Sequence, residues 1–191
     1  MNEQFLLAPQ PTTKRIADIG GADFYPTPEW ATQALLEQEN FDGSIWECAC
    51  GDGAMSEVIK QYGYNVYSSD LYERGYGEGG IDFVSSNKKF DNIITNPPFH
   101  SAEQFVSSGI RNASKKFAHL LRLAFLESAR RQTEIFNLNP PARVWVFSER
   151  ITFYPKGVVR KGNGTTAYAW FVWDKAWIDN TELCWLPIRK K

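Results

Sequence analysis

Hydrophobic residues along this chain fall in two rhythms: short continuous runs, and longer stretches with apolar positions three or four apart. The segment Tyr25-Pro26-Thr27-Pro28-Glu29 predicts a helix start, with Thr27 as N-cap and Pro28 at the first helical position. That helix is expected to reach about Glu39, with Ala31, Leu35 and Leu36 near one face. Before it, Pro9, Pro11, Gly20 and Gly21 break any period, so residues 1–22 read as irregular. Strands and helices then alternate. A strand over 44–49 ends in Gly51-Asp52-Gly53 and precedes a helix through Tyr62. A second strand over 65–69 ends at Asp70, and residues 81–84 form a weaker, short one. Residues 92–95 form a strand stopped by Asn96-Pro97-Pro98. Ser101 and Gln104 match a capping box that opens a helix to about Ala113. A strand over 117–123, a helix over 126–135 and strands over 143–147 and 167–173 complete the pattern.

Such alternation predicts an α/β fold, a mostly parallel seven-stranded sheet with helices on both faces. The last two strands have no helix between them and are expected to pair antiparallel at one edge. The Lys-, Arg- and Gly-rich residues 156–166 read as a mobile loop joining them. No repeat or linker divides the 191 residues, so one domain is expected.

Composition adds little to this picture: 43% hydrophobic and 23% charged residues are ordinary for a globular protein. A net charge of −1 removes any global footprint for nucleic acid and leaves local clusters. These are Lys14-Arg15, Lys115-Lys116, Arg130-Arg131, residues 156–161 and Arg189-Lys190-Lys191. Cys48, Cys50 and Cys184 make no disulfide framework, and His100 and His119 lie too far away in sequence to suggest a zinc site, so no metal is expected. The sequence shows no secretion signal and no apolar run long enough for a bilayer, which points to the cytoplasm and to no membrane partner.

Three segments carry candidate chemistry. In Glu47-Cys48-Ala49-Cys50-Gly51-Asp52-Gly53 the glycines allow a tight turn and close approach of a ligand, while the Gly-Lys-Ser/Thr ending of a phosphate loop is missing. Glu47 can take an ammonium group. Asp70 can hold ribose hydroxyls or can simply cap a helix. Asp82-Phe83 offers a carboxylate and a ring to an aminated base, or a cap beside a core Phe. The sharpest signal is Asn96-Pro97-Pro98-Phe99, a rigid bend with free carbonyls, an amide acceptor and a ring. Rigid acceptors beside a stacking face suit a planar group bearing NH2.

On these segments the chain resembles the class I S-adenosylmethionine-dependent methyltransferases, Rossmann-like enzymes, and within them the amino-methylating branch that includes the DNA N6-adenine enzymes. That branch's signature is Asn/Asp/Ser-Pro-Pro-Tyr/Phe/Trp, which residues 96–99 match fully. The resemblance spans residues 23–175, with one departure at Cys48, where the family often has Pro. It implies S-adenosylmethionine as cofactor, contacted by Tyr25, Pro26, Thr27, Glu47, Ala49, Gly51, Gly53, Asp70, Asp82 and Phe83. It implies catalysis by Asn96, Pro97, Pro98 and Phe99, and a nucleic-acid partner, DNA, whose target base leaves the stack. No separate target-recognition region is evident, as in compact enzymes carried by phages and mobile elements, so sequence readout falls to short loops such as 156–161. RNA-base and protein-glutamine methyltransferases share the signature; the glutamine enzymes more often carry Tyr in its fourth place. A non-catalytic binding protein is expected to lose the signature or the loop, and both are intact here.

Overall fold

The computed structural model describes residues 25–153 and 164–189. Among these described residues seven strands form one sheet: β1 (Ile45–Glu47), β2 (Val66–Ser68), β3 (Phe90–Thr95), β4 (Ala113–Arg122), β5 (Arg143–Phe147), β6 (Tyr168–Asp174) and β7 (Glu182–Leu186). Their order is β2-β1-β3-β4-β6-β5-β7, and every pairing is parallel except those of β6 with β4 and β5. Helices α1 (Glu29–Leu36) and α2 (Ala54–Gln61) cover one face, burying Leu35, Val58 and Ile59 against Ile94, Leu120 and Trp170. Helix α3 (Ala102–Asn112) covers the other, burying Phe105 and Val106 against Ile93, Phe117 and Phe171. A strand covered on both faces loses its polar alternation, which is why consecutive positions 168–173 of β6 are all buried.

Four expectations need correction. Residues 81–84 are not a strand. The glycine-rich chain before them curls back onto β2 through a single bridge, Ser69 to Glu78, and then turns at Asp82. Gly77 sits at φ 69°, where a Cβ would lie 2.6 Å from the Ser68 carbonyl oxygen. The seventh strand is instead β7, parallel to β5, an edge that leaves three of its five residues exposed although Leu183 to Leu186 is an unbroken apolar run. Helix α1 begins after Pro28, and Thr27 does not cap it. The capping box does not form either: Ser101 makes no cap hydrogen bond, because Pro98 leads into a 3-10 turn (Phe99–Ser101) that feeds α3. The helix expected over 126–135 is broken into a 3-10 turn, one α turn started by the Ser128 hydroxyl, and a π-helical stretch (Gln132–Phe136).

The amino ends of the central strands are tied by a buried ion network. Glu39, 5% exposed, accepts hydrogen bonds from Arg143, Lys116 and Trp145. Burial pushes its carboxyl up, but these three donors outweigh that and hold it below its ordinary value. Lys115 pairs with Asp42, so the Lys115-Lys116 cluster serves the fold. No helix of the described residues is long and apolar enough to cross a membrane.

Candidate functional site

The opposite, carboxyl ends of β1, β2 and β3 converge on a cavity of about 490 Å³, within the range of small-ligand sites. The loop from β1 to α2 forms one side. Gly53 caps α2 in a left-handed conformation, φ 85°, and a Cβ there would overlap the Tyr76 ring. Gly51 N–H donates to Asp70 Oδ2 at 2.9 Å, and Cys50 N–H to the Ser69 carbonyl at 3.0 Å, so the loop lies against the end of β2. Gly51 and Gly53 thus shape the cavity without lining it.

Glu47, the last residue of β1, lines the cavity and is only 2% exposed. Burial pushes its carboxyl up to about 8, with the charges of Asp70 and Asp52 acting the same way against the Ser56 hydroxyl that donates to it. Ser56 is held in turn beside Ser68, 2.6 Å away. Asp70 Oδ1 accepts from Tyr72 N–H at 2.9 Å and faces Arg74 Nε at 3.6 Å. Both cavity cysteines are kept as thiols: burial pushes Cys48 well up and Cys50 to about 12. Among the described residues no group of His, Cys, Asp and Glu could hold a metal ion.

Asp82 and Phe83 line the cavity from the turn that replaced the expected strand. Asp82 Oδ1 accepts from Val84 N–H at 2.9 Å. Phe83 is nearly buried, edge-on to Trp46 at 5.0 Å and tilted against Phe105 at 5.1 Å, so it is a core ring that also walls the cavity.

Asn96, Pro97, Pro98 and Phe99 line the mouth together with Tyr25, Pro26 and Thr27. Asn96 Nδ2 donates to Thr27 Oγ1 at 3.0 Å, and Asn96 Oδ1 is buried with no hydrogen-bond partner among the described residues. Phe99 packs against Tyr168 at 5.4 Å and Phe153 at 6.2 Å, with the Arg122 guanidinium 4.9 Å from its ring. Trp170 is a core residue whose indole donates to the Ala31 carbonyl at 2.8 Å. Phe153 and Tyr72 line the cavity without having been singled out: neither sits in a motif, and only the folded chain brings them in. Residues 1–22, Lys14-Arg15, Tyr154, the 156–161 loop and Lys190-Lys191 lie outside the described residues.

No family profile and no curated protein matches the sequence. Solved structures do match by shape. A protein from Listeria monocytogenes named as a class I S-adenosylmethionine-dependent methyltransferase aligns with a TM-score of 0.58 and 15% identity over 84% of this chain and 65% of its own. A protein from Pyrococcus horikoshii named as an RNA methyltransferase gives 0.56 and 17% over 80% and 87%. A protein from Vibrio vulnificus named as the modification subunit of a type I restriction enzyme gives 0.58 and 14% over 92% and 49%. The chain therefore spans less than two thirds of the length of the first and third. These likenesses show the fold, the Rossmann-like fold of class I methyltransferases.

Proposed function

We propose that this protein binds S-adenosylmethionine and methylates the N6 amine of adenine in DNA. The observation that carries the reading is Asn96 Oδ1, a buried acceptor without a partner beside a rigid Pro97-Pro98 bend and the Phe99 ring. An orphaned buried acceptor is costly unless a ligand supplies the donor, and an exocyclic NH2 is such a donor.

The cavity's residues fit the cofactor. The buried Glu47 carboxyl suits an ammonium group, Asp70 keeps lone pairs for ribose hydroxyls beside its two backbone donors, and Asp82 with Phe83 suits an adenine edge and face. Bound there, S-adenosylmethionine supplies an activated methyl group. The protein's own part is positioning. Asn96 Oδ1 and the Pro97 carbonyl each accept one hydrogen of the amine, which draws its lone pair out of conjugation with the ring. Phe99 stacks on the extruded base, and Phe153 and Tyr168 fix Phe99 from behind. In the transfer the donor's carbon–sulfur bond would break as the carbon–nitrogen bond forms, and the nitrogen would shed one proton to solvent. Fold neighbours carry RNA and restriction-modification names alike, so the choice of a nucleobase rests on the Asn96–Phe99 segment and not on the fold.

The test is methyl transfer from tritiated S-adenosylmethionine to DNA, RNA and protein offered separately, with modified nucleosides identified by mass. N6-methyladenine in DNA, lost at least about 1000-fold in Asn96→Ala while cofactor affinity persists, supports the reading. Label in RNA or protein alone overturns the substrate. Cofactor binding with no transfer to any acceptor overturns the activity.

A further inference from the structure

A second cavity, of about 500 Å³, adjoins the first and shares Phe99, His100 and Gln104 with it. Resting on the reading above, we propose that it seats the nucleotide next to the target base of a DNA strand, with Arg130 taking the intervening phosphate.

Continuity is the first argument. A strand whose target base sits against Phe99 in the first cavity continues past that ring directly into the second. The chemistry there changes from acceptors to cations. Besides the shared residues the second cavity is lined by Ala102, Phe125, Glu103, Arg130 and Arg131. Two guanidinium groups share one lining carboxylate, Glu103, and a second, Glu134, reaches Arg130 from outside the cavity lining. Arg122, exposed and 4.9 Å from the Phe99 ring, adds another cation at the junction.

The two arginines are not equivalent. Arg131 is locked: Nε donates to the Phe125 carbonyl at 2.7 Å, Nη1 to Glu103 at 3.2 Å, and Nη2 to the carbonyls of Ala124 and Glu127. Its guanidinium lies 4.9 Å from the Phe125 ring, so it fixes that ring and the Glu103 carboxylate. Arg130 reaches Glu103 and, at 3.5 Å, Glu134, yet its side chain is 61% exposed. Surface pairs of that kind are weak, and a phosphate bound in bidentate fashion competes well with them. Ala102 and Phe125, both 7% exposed, close the floor of this cavity. The protein thus holds the target's neighbour as well as the target, and its preference among flanking bases originates here.

The experiment compares methyl transfer to deoxyadenosine, to deoxydinucleotides carrying the neighbour on either side, and to the matching ribodinucleotides. Wild type, Arg130→Ala and Arg130→Glu are measured at several salt concentrations, with S-adenosylmethionine affinity by calorimetry as the control for fold and cofactor site. In the wild type one deoxydinucleotide polarity is expected to lower KM about tenfold relative to the nucleoside. That advantage shrinks to about threefold in Arg130→Ala and vanishes in Arg130→Glu, and rising salt erodes it in the wild type more than in either variant. Cofactor affinity stays unchanged. An advantage that survives both substitutions, or none in the wild type, overturns the site. Use of ribodinucleotides alone overturns DNA as its occupant. Failure of every nucleic-acid substrate despite cofactor binding overturns the nucleobase reading itself, and the site with it.

Discussion

Asn96 Nδ2 donates to Thr27 Oγ1 at 3.0 Å, and this one hydrogen bond anchors the Asn96 amide. With the amino group committed to Thr27, the carbonyl oxygen is left buried and unpartnered. Leaving such an acceptor bare costs about 1–3 kcal/mol in the empty protein. The contact also joins the segment preceding α1 to the end of β3, so the orientation of the acceptor depends on the tertiary fold.

Thr27→Val, nearly isosteric, removes the acceptor and frees the amide to rotate. The expected result is a fall in kcat of about 10- to 100-fold with S-adenosylmethionine affinity kept within about threefold, and recovery in Thr27→Ser. Steady-state kinetics beside calorimetry separate the two quantities. A variant that loses cofactor affinity with kcat intact would place Thr27 on the cofactor and not on Asn96.

Glu47 makes cofactor binding depend on pH. In the empty protein burial first, then the charges of Asp70 and Asp52, push its carboxyl from 4.5 to about 8. Between those values the folded protein holds a proton that the unfolded chain has shed, so this group lowers stability as pH rises toward 8 and adds no further slope above it. An ammonium group must displace that proton. Affinity is therefore expected to rise between pH 5.5 and 7, by up to about tenfold per unit, with close to one proton released per site; that window lies below the ligand amine's own pKa of roughly 8. Calorimetry in buffers of different ionisation enthalpy measures the release. Glu47→Gln should be more stable than the wild type at pH 8 without ligand, and should bind about tenfold or more weakly with the pH dependence gone.

Much of the sheet was legible in the sequence, and so were the strand ends that the cavity gathers. Residues 47–53, 70 and 96–99 each lie at or just after a strand end, and strand ends are announced by glycine, proline or a lone carboxylate after an apolar run. What linear pattern does not contain is pairing. The 81–84 run has strand composition but is preceded by four glycines between 75 and 80 that turn the chain away after one bridge, while β7 shows uneven burial because it is an edge. Phe153 enters the site from beyond β5, and no local signal marks a residue whose role depends on what stands opposite.

Gly53 and Tyr76 should be coupled energetically. A methyl group at Gly53 meets both an unfavourable backbone angle, φ 85°, and the Tyr76 ring, which Lys60 and Glu57 hold through its hydroxyl at 2.8 and 2.6 Å. Gly53→Ala is expected to cost about 2–3 kcal/mol, of which about 1 kcal/mol is the left-handed backbone and the rest the ring. Tyr76→Ala in the same chain removes the second part. A double-mutant cycle by chemical denaturation should therefore give a coupling of about 1 kcal/mol or more, and simple additivity would show that the ring yields without resistance.

His119 should make the protein sensitive to acid. It sits on β4 opposite Thr95 and Phe171, fully buried, with neither ring nitrogen hydrogen-bonded among the described residues and with Phe117, Phe105 and Trp173 around it. Burial pushes its pKa from 6.5 down to about 3, so between those values the unfolded chain takes up a proton that the folded protein refuses. Its neutral form is accommodated fully above pH 6.5, and stability is lost progressively as pH falls toward 3, by up to roughly 5 kcal/mol. His119→Leu removes this slope. Denaturation midpoints of the two proteins should converge or favour the variant near pH 4, whatever their order at pH 7, because only the wild type carries the penalty. If the difference between them does not change with pH, the imidazole is protonated in the folded core or reached by water, and the packing around it is looser than its burial states.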